Sequence, residues 1–517
     1  MNWFGRQKNF FLLIWLIFLG GCIVGLVAQF HYHKFLNIDT LSYINIGELY
    51  ASGKLNLAIN GCWSPLYSWI IALLSLVHVP PLATCYVLNF VSAACCFNYL
   101  LKLSSRYLTY LPLQLLFYAF ILFYLLNQAL SALTPDLLAT AIGCYFLWLL
   151  IADDFMHSRQ KQVLAGIVGA FFYFSKSYNF LFVTGFLLLL LLISFTGTFK
   201  VSARKQRVAY LITLLVFLMV STLWIIPLSK HENAITFSTS GPYVYHMVHP
   251  DNIDHPASSR IIAPPFPEAY SAWIDPVHHL DSMRWSPFQS KRFFDHQLVL
   301  VGSSFKEWIR ILDAHYLKIA IIVFIILLSS HKPEIKRSIT SKDLNVPGFV
   351  AFTYPLAYLP IFIFERYILL SVLFFHLLFF YFLQALAIFL NHSWRKVLMV
   401  VMVVIFINFA SQYTLHTGIQ KLYEYENYQA VYERKNEYSF LKNKKIASTK
   451  SCQVLSAQLS YWYKTRFYGI WNERDIDLVK AYGIEYVLAS DVILSPALKL
   501  EKTITIRGYP VLIYRSQ

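Results

Sequence analysis

Asp39 is a carboxylate placed where it could take a proton from a hydroxyl group. It follows the first apolar run of the chain, residues 9–30, and Tyr43 comes four residues later, which puts both side chains on one face of a helix. A carboxylate beside apolar surface is partly desolvated, which raises its proton affinity and suits it to act as a general base. A structural alternative stays open, because Asn37 or Asp39 would also serve as a helix N-cap.

Three more charged residues stand at the edges of apolar runs. Asp136 ends a TPD sequence that opens one run, Lys176 lies between two runs, and Arg366 is the centre of an ERY sequence before another. Lys and Arg both suit a phosphate group, Lys as a point charge and Arg as a bidentate fork. The alternatives are a helix start at TPD, ion pairs of Asp136 with Lys176 or of Glu365 with Arg366, and snorkelling.

Aromatic residues accompany these charges. Tyr43 lies near a WSPLY sequence that runs from Trp63 to Tyr67, and Tyr367 follows Arg366. Such residues could line a substrate site, or they could simply anchor the chain at a membrane surface, where Trp and Tyr are enriched.

The histidines and cysteines show no metal-ligand pattern. The histidines of the long segment before residue 310 lack a helical frame and a matched carboxylate, and the seven cysteines of the chain have neither zinc-type spacing nor a disulfide pattern. We therefore predict no metal site from the sequence, while a divalent metal ion as cofactor stays open.

The composition requires lipid around most of the chain. Of the 517 residues, 57% are hydrophobic and only 14% are charged, too few to cover the surface of a soluble protein of this length. The formal net charge of +16 does not call for nucleic acid, because cations collect in the cytoplasmic loops of membrane proteins.

About eleven apolar runs are long enough to be membrane helices. They cover residues 9–30, 82–101, 110–127, 137–152, 163–175, 179–197, 208–228, 311–330, 346–364, 367–390 and 397–413. With the N-terminus in the cytoplasm, every cytoplasmic loop carries at least two cations, which are Lys102, Arg106, Arg159, Lys161, Lys200, Arg204, Lys205, Arg207, Lys332, Lys336, Arg337, Lys342, Arg395 and Lys396. The outer loops carry few, so the asymmetry supports this orientation.

Two domains follow from this pattern. Residues 1–414 form the transmembrane domain, with two outer segments that we call the first loop (31–81) and the long loop (229–310). Residues 415–517 form a small α/β domain on the non-cytoplasmic face. Within it we predict strands at KKIAST and IEYVLAS, helices at QVLSAQLSYWYK and RDIDLVKAYG, and a hairpin about Gly508.

Taken in order, these motifs resemble the GT-C superfamily of membrane glycosyltransferases, in the family 39 branch of protein mannosyltransferases and aminoarabinose transferases. The resemblance covers about residues 10–410 and rests on Asp39 with Tyr43, Trp63 to Tyr67, TPD at Asp136, Lys176 and the residues Glu365 to Tyr367. It implies a polyprenyl-phosphate sugar donor and transfer on the non-cytoplasmic face by an inverting displacement, to a lipid, glycan or protein acceptor.

The resemblance also implies roles for these residues. Asp39 would be the general base, Lys176 and Arg366 would hold the donor phosphate, and Asp136 would shape the site. Tyr43, Trp63, Tyr67, Glu365 and Tyr367 would belong to the substrate-binding region. The chain departs from many mannosyltransferases in one respect, because Thr40 stands where an adjacent second acid is usual.

Two other classes of function are weighed against this interpretation. A transporter or lipid flippase would place charges in the middle of its spans, and a non-catalytic membrane scaffold would leave Asp39, Lys176 and Arg366 scattered. For all three, we expect a multi-pass protein of the bacterial inner membrane that contacts lipid and no nucleic acid.

Overall fold

The computed structural model describes most of the chain. The described residues are 3–31, 36–131, 133–196, 203–251, 255–280, 285–329, 345–412, 429–506 and 508–517. Five of the cations assigned to cytoplasmic loops lie outside these residues, as does Lys34 of the first loop. The five are Lys200, Lys332, Lys336, Arg337 and Lys342.

Apolar helices form the body of the molecule. The first ten are α1 (Trp3–His31), α2 (Ile38–Ala51), α3 (Leu55–Ala58), α4 (Pro65–Leu76), α5 (Pro81–Tyr107), α6 (Leu111–Ser131), α7 (Asp136–Leu150), α8 (Arg159–Ser175), α9 (Tyr178–Ile193) and α10 (Ala203–His231). The next seven are α11 (Ser240–His246), α12 (Pro256–Ser259), α13 (Lys291–Ala314), α14 (Leu317–Ser329), α15 (Asn345–Thr353), α16 (Leu369–Phe389) and α17 (His392–Ser411).

All eleven predicted runs coincide wholly or in part with helices, which confirms the polytopic α-helical class. Among the described residues, six helices are long and apolar enough to cross a membrane, or seven if α13 and α14 count as one bent span. The count falls short of eleven mainly because helices α7, α8 and α9 have 15, 17 and 16 residues. At 1.5 Å per residue these reach about 22–26 Å, less than the ~30 Å of a hydrocarbon core.

The predicted ninth span, residues 346–364, is wrong in its second half. Helix α15 ends at Thr353, and residues 354–364 continue as turns and irregular backbone, a segment that we call the strap. Pro355 and Pro360 lie in the strap. A proline lacks the N–H that an α-helix needs and its ring clashes with the preceding turn, so the apolar composition alone could not sustain the helix.

The long loop contains more helix than its polar sequence predicts. Helix α10 extends into it as far as His231, and α13 takes up its last 20 residues and continues to Ala314. Helix α13 then meets α14 at an angle of 79°. The predicted boundary at residue 310 therefore lies inside a helix.

The C-terminal domain is built on one five-stranded sheet, as the predicted fold class requires. Its strands are β1 (Lys445–Ser448), β2 (Arg466–Ile470), β3 (Tyr486–Ala489), β4 (Leu498–Ile506) and β5 (Tyr509–Ser516), in the order β2-β1-β3-β5-β4. Strand β1 pairs in parallel with β2 and β3, and β5 pairs antiparallel with β3 and β4. The two predicted helices are α18 (Gln453–Tyr463) and α19 (Ile476–Tyr482), and β2 is the strand that the sequence analysis missed.

Strand β2 also joins this domain to the long loop. Ile261 forms a β-bridge with Gly469, and Ser271 forms one with Phe467. Gly469 has a φ of +87°, and a Cβ atom there would lie 2.6 Å from the carbonyl oxygen of Arg260, so only glycine allows this close approach. The C-terminal domain and the long loop consequently pack as one unit above the helix ends.

Candidate active site

Helix α2 begins in a way that leaves Asp39 free for other contacts. Asn37 is the N-cap, and its side-chain oxygen accepts a hydrogen bond from the backbone N–H of Thr40 at 2.7 Å. Of the two cap candidates from the sequence, Asn37 is therefore the N-cap of α2, and Asp39 is not needed for capping. Asp39 lies in the first turn, where the partial positive charge of the helix end stabilises a carboxylate.

The aromatic residues of the first loop hold α2 in place. The Tyr43 ring lies 5.2 Å from that of Trp63 and 5.3 Å from that of Tyr67, centroid to centroid. Tyr67 is fully buried, and the neighbouring Ser68 hydroxyl donates to the Tyr43 carbonyl at 2.9 Å. These contacts give Tyr43 and Tyr67 a packing role behind Asp39.

Trp63 connects the first loop to the long loop. Its indole N–H donates to the carbonyl oxygen of Trp273 at 3.0 Å, and the same oxygen accepts from Ser42 on α2 at 3.1 Å. Nearby, the N–H of Thr239 donates to the Gly61 carbonyl at 2.8 Å. The long loop is thereby fixed over the helix that carries Asp39.

Asp136 and Lys176 form a nearly buried ion pair between helix ends. Lys176 Nζ lies 2.5 Å from Asp136 Oδ1, with the two side chains 19% and 7% exposed. The Thr134 hydroxyl donates to the other carboxylate oxygen at 2.7 Å. Burial lowers the pKa of Lys176 below its ordinary value, and the Asp136 carboxylate opposes that shift. The sequence analysis considered two ion pairs, Asp136–Lys176 and Glu365–Arg366, and the first of them is present.

Arg366 pairs with Asp39, across 327 positions of sequence. Arg366 Nη2 lies 2.9 Å from Asp39 Oδ2, and both side chains are about one-third exposed, at 30% and 33%. The Tyr367 ring lies between the two cations, with its centroid 4.0 Å from Lys176 Nζ and 5.1 Å from Arg366 Cζ. Asp39, Asp136, Lys176 and Arg366 thus form one charged quartet around this ring.

Tyrosines that the sequence analysis did not single out surround Lys176. The centroid of Tyr358, in the strap, lies 5.5 Å from Lys176 Nζ, and its ring packs on Tyr367 at 5.5 Å and on Tyr178 at 4.5 Å. Tyr354, also in the strap, donates from its hydroxyl to the Asn179 side chain at 2.9 Å. The tyrosines in the sequences YPLAYLP and KSYNF were the signal from which this cluster around Lys176 could have been predicted.

Tyr243, in the long loop, packs with its ring 5.8 Å from that of His255 and 6.4 Å from that of Trp273, centroid to centroid. Burial raises the pKa of the Tyr243 phenol above its ordinary value, and the nearby Cys62, Asp39 and Tyr367 raise it further. Tyr243 therefore stays a neutral hydroxyl, able to donate a hydrogen bond.

Glu365 faces away from the quartet. Its Oε1 lies 3.3 Å from Gln128 Nε2 and 3.3 Å from Nε2 of the buried His315. His315 Nδ1 in turn lies 2.9 Å from His376 Nε2. We therefore separate Glu365, which contacts α6 through Gln128 and the end of α13 through His315, from Arg366 and Tyr367, which face the quartet.

The described residues contain no group of three or more His, Cys, Asp or Glu side chains arranged to hold a metal ion. What the site does offer is an accessible carboxylate beside two cations, one of them almost buried. That combination can accept a proton from a hydroxyl group and can bind an anion.

The bundle of apolar helices, with a charged site at the helix ends and a small C-terminal α/β domain, agrees as a fold with the expectation drawn from the motifs. The structure is similar to that of ArnT from Cupriavidus metallidurans bound to undecaprenyl phosphate. The TM-score is 0.54 at 12% identity, over 97% of this chain and 97% of that one.

Apo ArnT from the same organism aligns with a TM-score of 0.46 at 12% identity, over 99% of this chain and 98% of that one. The fold assignment rests on the undecaprenyl phosphate complex, and at this identity the likeness concerns the fold alone. No protein-family model and no curated protein matches the chain.

Proposed function

We propose that this protein transfers a sugar from a polyprenyl-phosphate donor to a hydroxyl group of an acceptor, on the non-cytoplasmic face of a bacterial inner membrane. The observation that carries the proposal is the quartet, in which Asp39, one-third exposed, lies within ion-pair distance of Arg366, and Arg366 shares the Tyr367 ring with Lys176. The complex of ArnT with undecaprenyl phosphate supports the class of donor.

The two carboxylates have different exposures, and we assign them different roles. Asp136 is almost buried and is occupied on both oxygens, by Lys176 and by Thr134. It is a positioning residue that holds the Lys176 ammonium in place. Asp39 is one-third exposed and Arg366 contacts its Oδ2, so Oδ1 is the oxygen that we assign to the acceptor hydroxyl.

The reaction is then an inverting displacement. The acceptor hydroxyl gives its proton to Asp39, its oxygen forms a bond to the anomeric carbon, and the bond from that carbon to the phosphate oxygen breaks. The polyprenyl phosphate leaves with one more negative charge, which Lys176 and Arg366 stabilise in the transition state.

The lengths of α7, α8 and α9 suit a lipid-linked donor. If their far ends lie at one membrane surface, helices of about 22–26 Å bring Asp136 and Lys176 below the level of the other surface. The phosphate could meet the cations there while the polyprenyl chain stays in hydrocarbon. This placement, and the orientation, rest on the charge asymmetry of the loops.

The contact network favours an enzyme over the two other classes. A scaffold would leave Asp39, Lys176 and Arg366 scattered, whereas they are contiguous through Tyr367. A transporter would carry its charges at mid-span. Here Asp136 begins α7 and Lys176 follows α8.

The test is donor turnover by the purified chain in lipid vesicles. Undecaprenyl phosphates carrying different hexoses and pentoses, each mixed with extracted bacterial envelope lipids and glycans, are followed by mass spectrometry. We expect at least one donor to be converted to undecaprenyl phosphate together with a glycosylated product. If no donor is consumed by a folded, vesicle-inserted protein, the proposed function is wrong.

Replacing Asp136 by Asn should shift the pH profile of turnover. The carboxylate opposes the lowering of the Lys176 pKa by burial, so its neutralisation lowers that pKa further. Lys176 is charged below its pKa, and the alkaline limb of activity should therefore move to lower pH. Asp313→Asn, which removes an ion pair with the exposed Lys318, is the matched control and should leave the limb in place. An unshifted limb in Asp136→Asn would contradict the role given to this pair.

A further inference from the structure

Helix α13 has three distinct faces along its length. Phe294, Leu298, Phe305 and Ile309 are spaced four, seven and four residues apart, so they form one apolar stripe, and they are 45%, 55%, 48% and 38% exposed. Another side carries four charged residues together with Val299, which is 68% exposed: Arg292, Asp295, Lys306 and Arg310. A third side packs on the protein through Trp308 and Ile311.

Such an exposed apolar stripe needs an occupant, and the adjoining helix indicates which. Helix α14 is apolar after Lys318 in its first turn, and Ile322 and Ile325 are more than half exposed, as expected of a helix in lipid. Because α13 meets α14 at 79°, an α14 that points along the membrane normal places α13 almost parallel to the membrane plane. An amphipathic helix in that orientation lies with its apolar stripe in lipid and its charges in water.

Helix α13 is also bonded to the strap. The Gln297 amide donates to the Pro360 carbonyl at 2.8 Å, and the Ser304 hydroxyl donates to the Ile361 carbonyl at 3.1 Å. The strap carries Tyr358, which packs beside Lys176, and leads directly to Arg366. Two hydrogen bonds therefore join α13 to the segment that contacts Lys176 and precedes Arg366.

We propose that α13 is an interfacial helix whose apolar stripe is covered by lipids of the leaflet on the side of the quartet, and that it sets the depth of the strap in that leaflet. The second part rests on the proposed function, because depth matters if the donor phosphate belongs to a membrane lipid. The ligand of the stripe is the lipid surface itself.

The first part is tested without any enzyme assay. Cys95 is the one exposed cysteine of the chain, so Leu298→Cys and Ser303→Cys are each made on a Cys95→Ser background and carry a nitroxide label. In vesicles of phosphatidylethanolamine and phosphatidylglycerol, the label at position 298 should be relaxed by oxygen and protected from a water-soluble nickel complex, and the label at 303 should behave in the opposite way. Equal exposure of both labels to nickel would overturn the proposal.

The second part is tested by Ser304→Ala, which removes the hydrogen bond to the Ile361 carbonyl of the strap. Donor KM should rise with little change in the label depth at position 298, and Ser303→Ala should change neither. A donor KM unaffected by Ser304→Ala would contradict the link between helix and strap. If the labels behave as expected but no donor is ever consumed, the interfacial helix stands and the proposed function fails.

Discussion

Asp39→Asn is expected to lower donor turnover by about 10²–10⁴-fold, the range over which a positioned general base contributes. Asparagine keeps the size of the side chain and can still accept a hydrogen bond from Arg366, but it cannot take the acceptor proton. The measurement is the rate of undecaprenyl phosphate release in vesicles at saturating donor, so that a change in binding does not enter.

The same variant should fold normally. The Asp39–Arg366 pair is about one-third exposed on both sides, where ion pairs contribute about 0–1 kcal/mol, and Asn37 rather than Asp39 caps the helix. Thermal unfolding of Asp39→Asn should therefore match that of the unmodified chain. Full turnover in this variant would remove Asp39 from the chemistry, whatever the fold.

Lys176→Met is expected to have two large effects, one on stability and one on turnover. Loss of the ammonium leaves the almost buried Asp136 without its partner, which costs about 3–5 kcal/mol of the free energy of unfolding. Loss of a cation from the leaving phosphate should lower turnover by roughly 10²–10³-fold, as for other transition-state donors. Unfolding temperature and donor turnover are measured on the same vesicle preparation.

A double variant separates these effects. Lys176→Met with Asp136→Asn removes both charges, so the unfolding temperature should recover while turnover stays low. Lys318→Met serves as the surface control, because its ion pair with Asp313 involves a lysine that is 81% exposed. Recovery of turnover in the double variant would mean that Lys176 serves only to neutralise Asp136.

Hydrophobicity was sufficient to predict the helical part of the fold. The apolar runs became helices because each lies in lipid or in the bundle, where backbone groups must be paired within the segment. Local chemistry decided where the prediction went wrong. Pro355 and Pro360 end α15 inside an apolar run. The segment of α13 was interpreted as a loop because only a narrow stripe of that helix is apolar.

Strand β2 shows a different limit of sequence reasoning. It contains Gly469 in a left-handed conformation, and the residue that bridges to it, Ile261, lies 208 positions earlier in the chain. A five-residue strand at the edge of the sheet has little periodicity of its own. Its pairing with β1 and its bridges to the long loop became visible only in the folded chain.

The candidate site was predictable in its charges and less so in its geometry. Asp39, Asp136, Lys176 and Arg366 were singled out because charges at the edges of apolar runs are costly, and the structure brings all four together. The partner of Arg366 was not predictable, because Glu365 is its neighbour in sequence but points to His315 instead. Which carboxylate a guanidinium meets depends on how the two loops fold over the helix ends.

The resting quartet contains two carboxylates and two cations, so its net charge is zero. On the proposed mechanism, protonation of Asp39 converts that balance into one surplus positive charge in the same step in which the phosphate gains one negative charge. The transferred proton and the released anion therefore cancel locally, and no ion has to cross the apolar surroundings during the step. The donor phosphodiester brings one negative charge to the site, and the net charge of the site with its bound donor is therefore the same before and after the step.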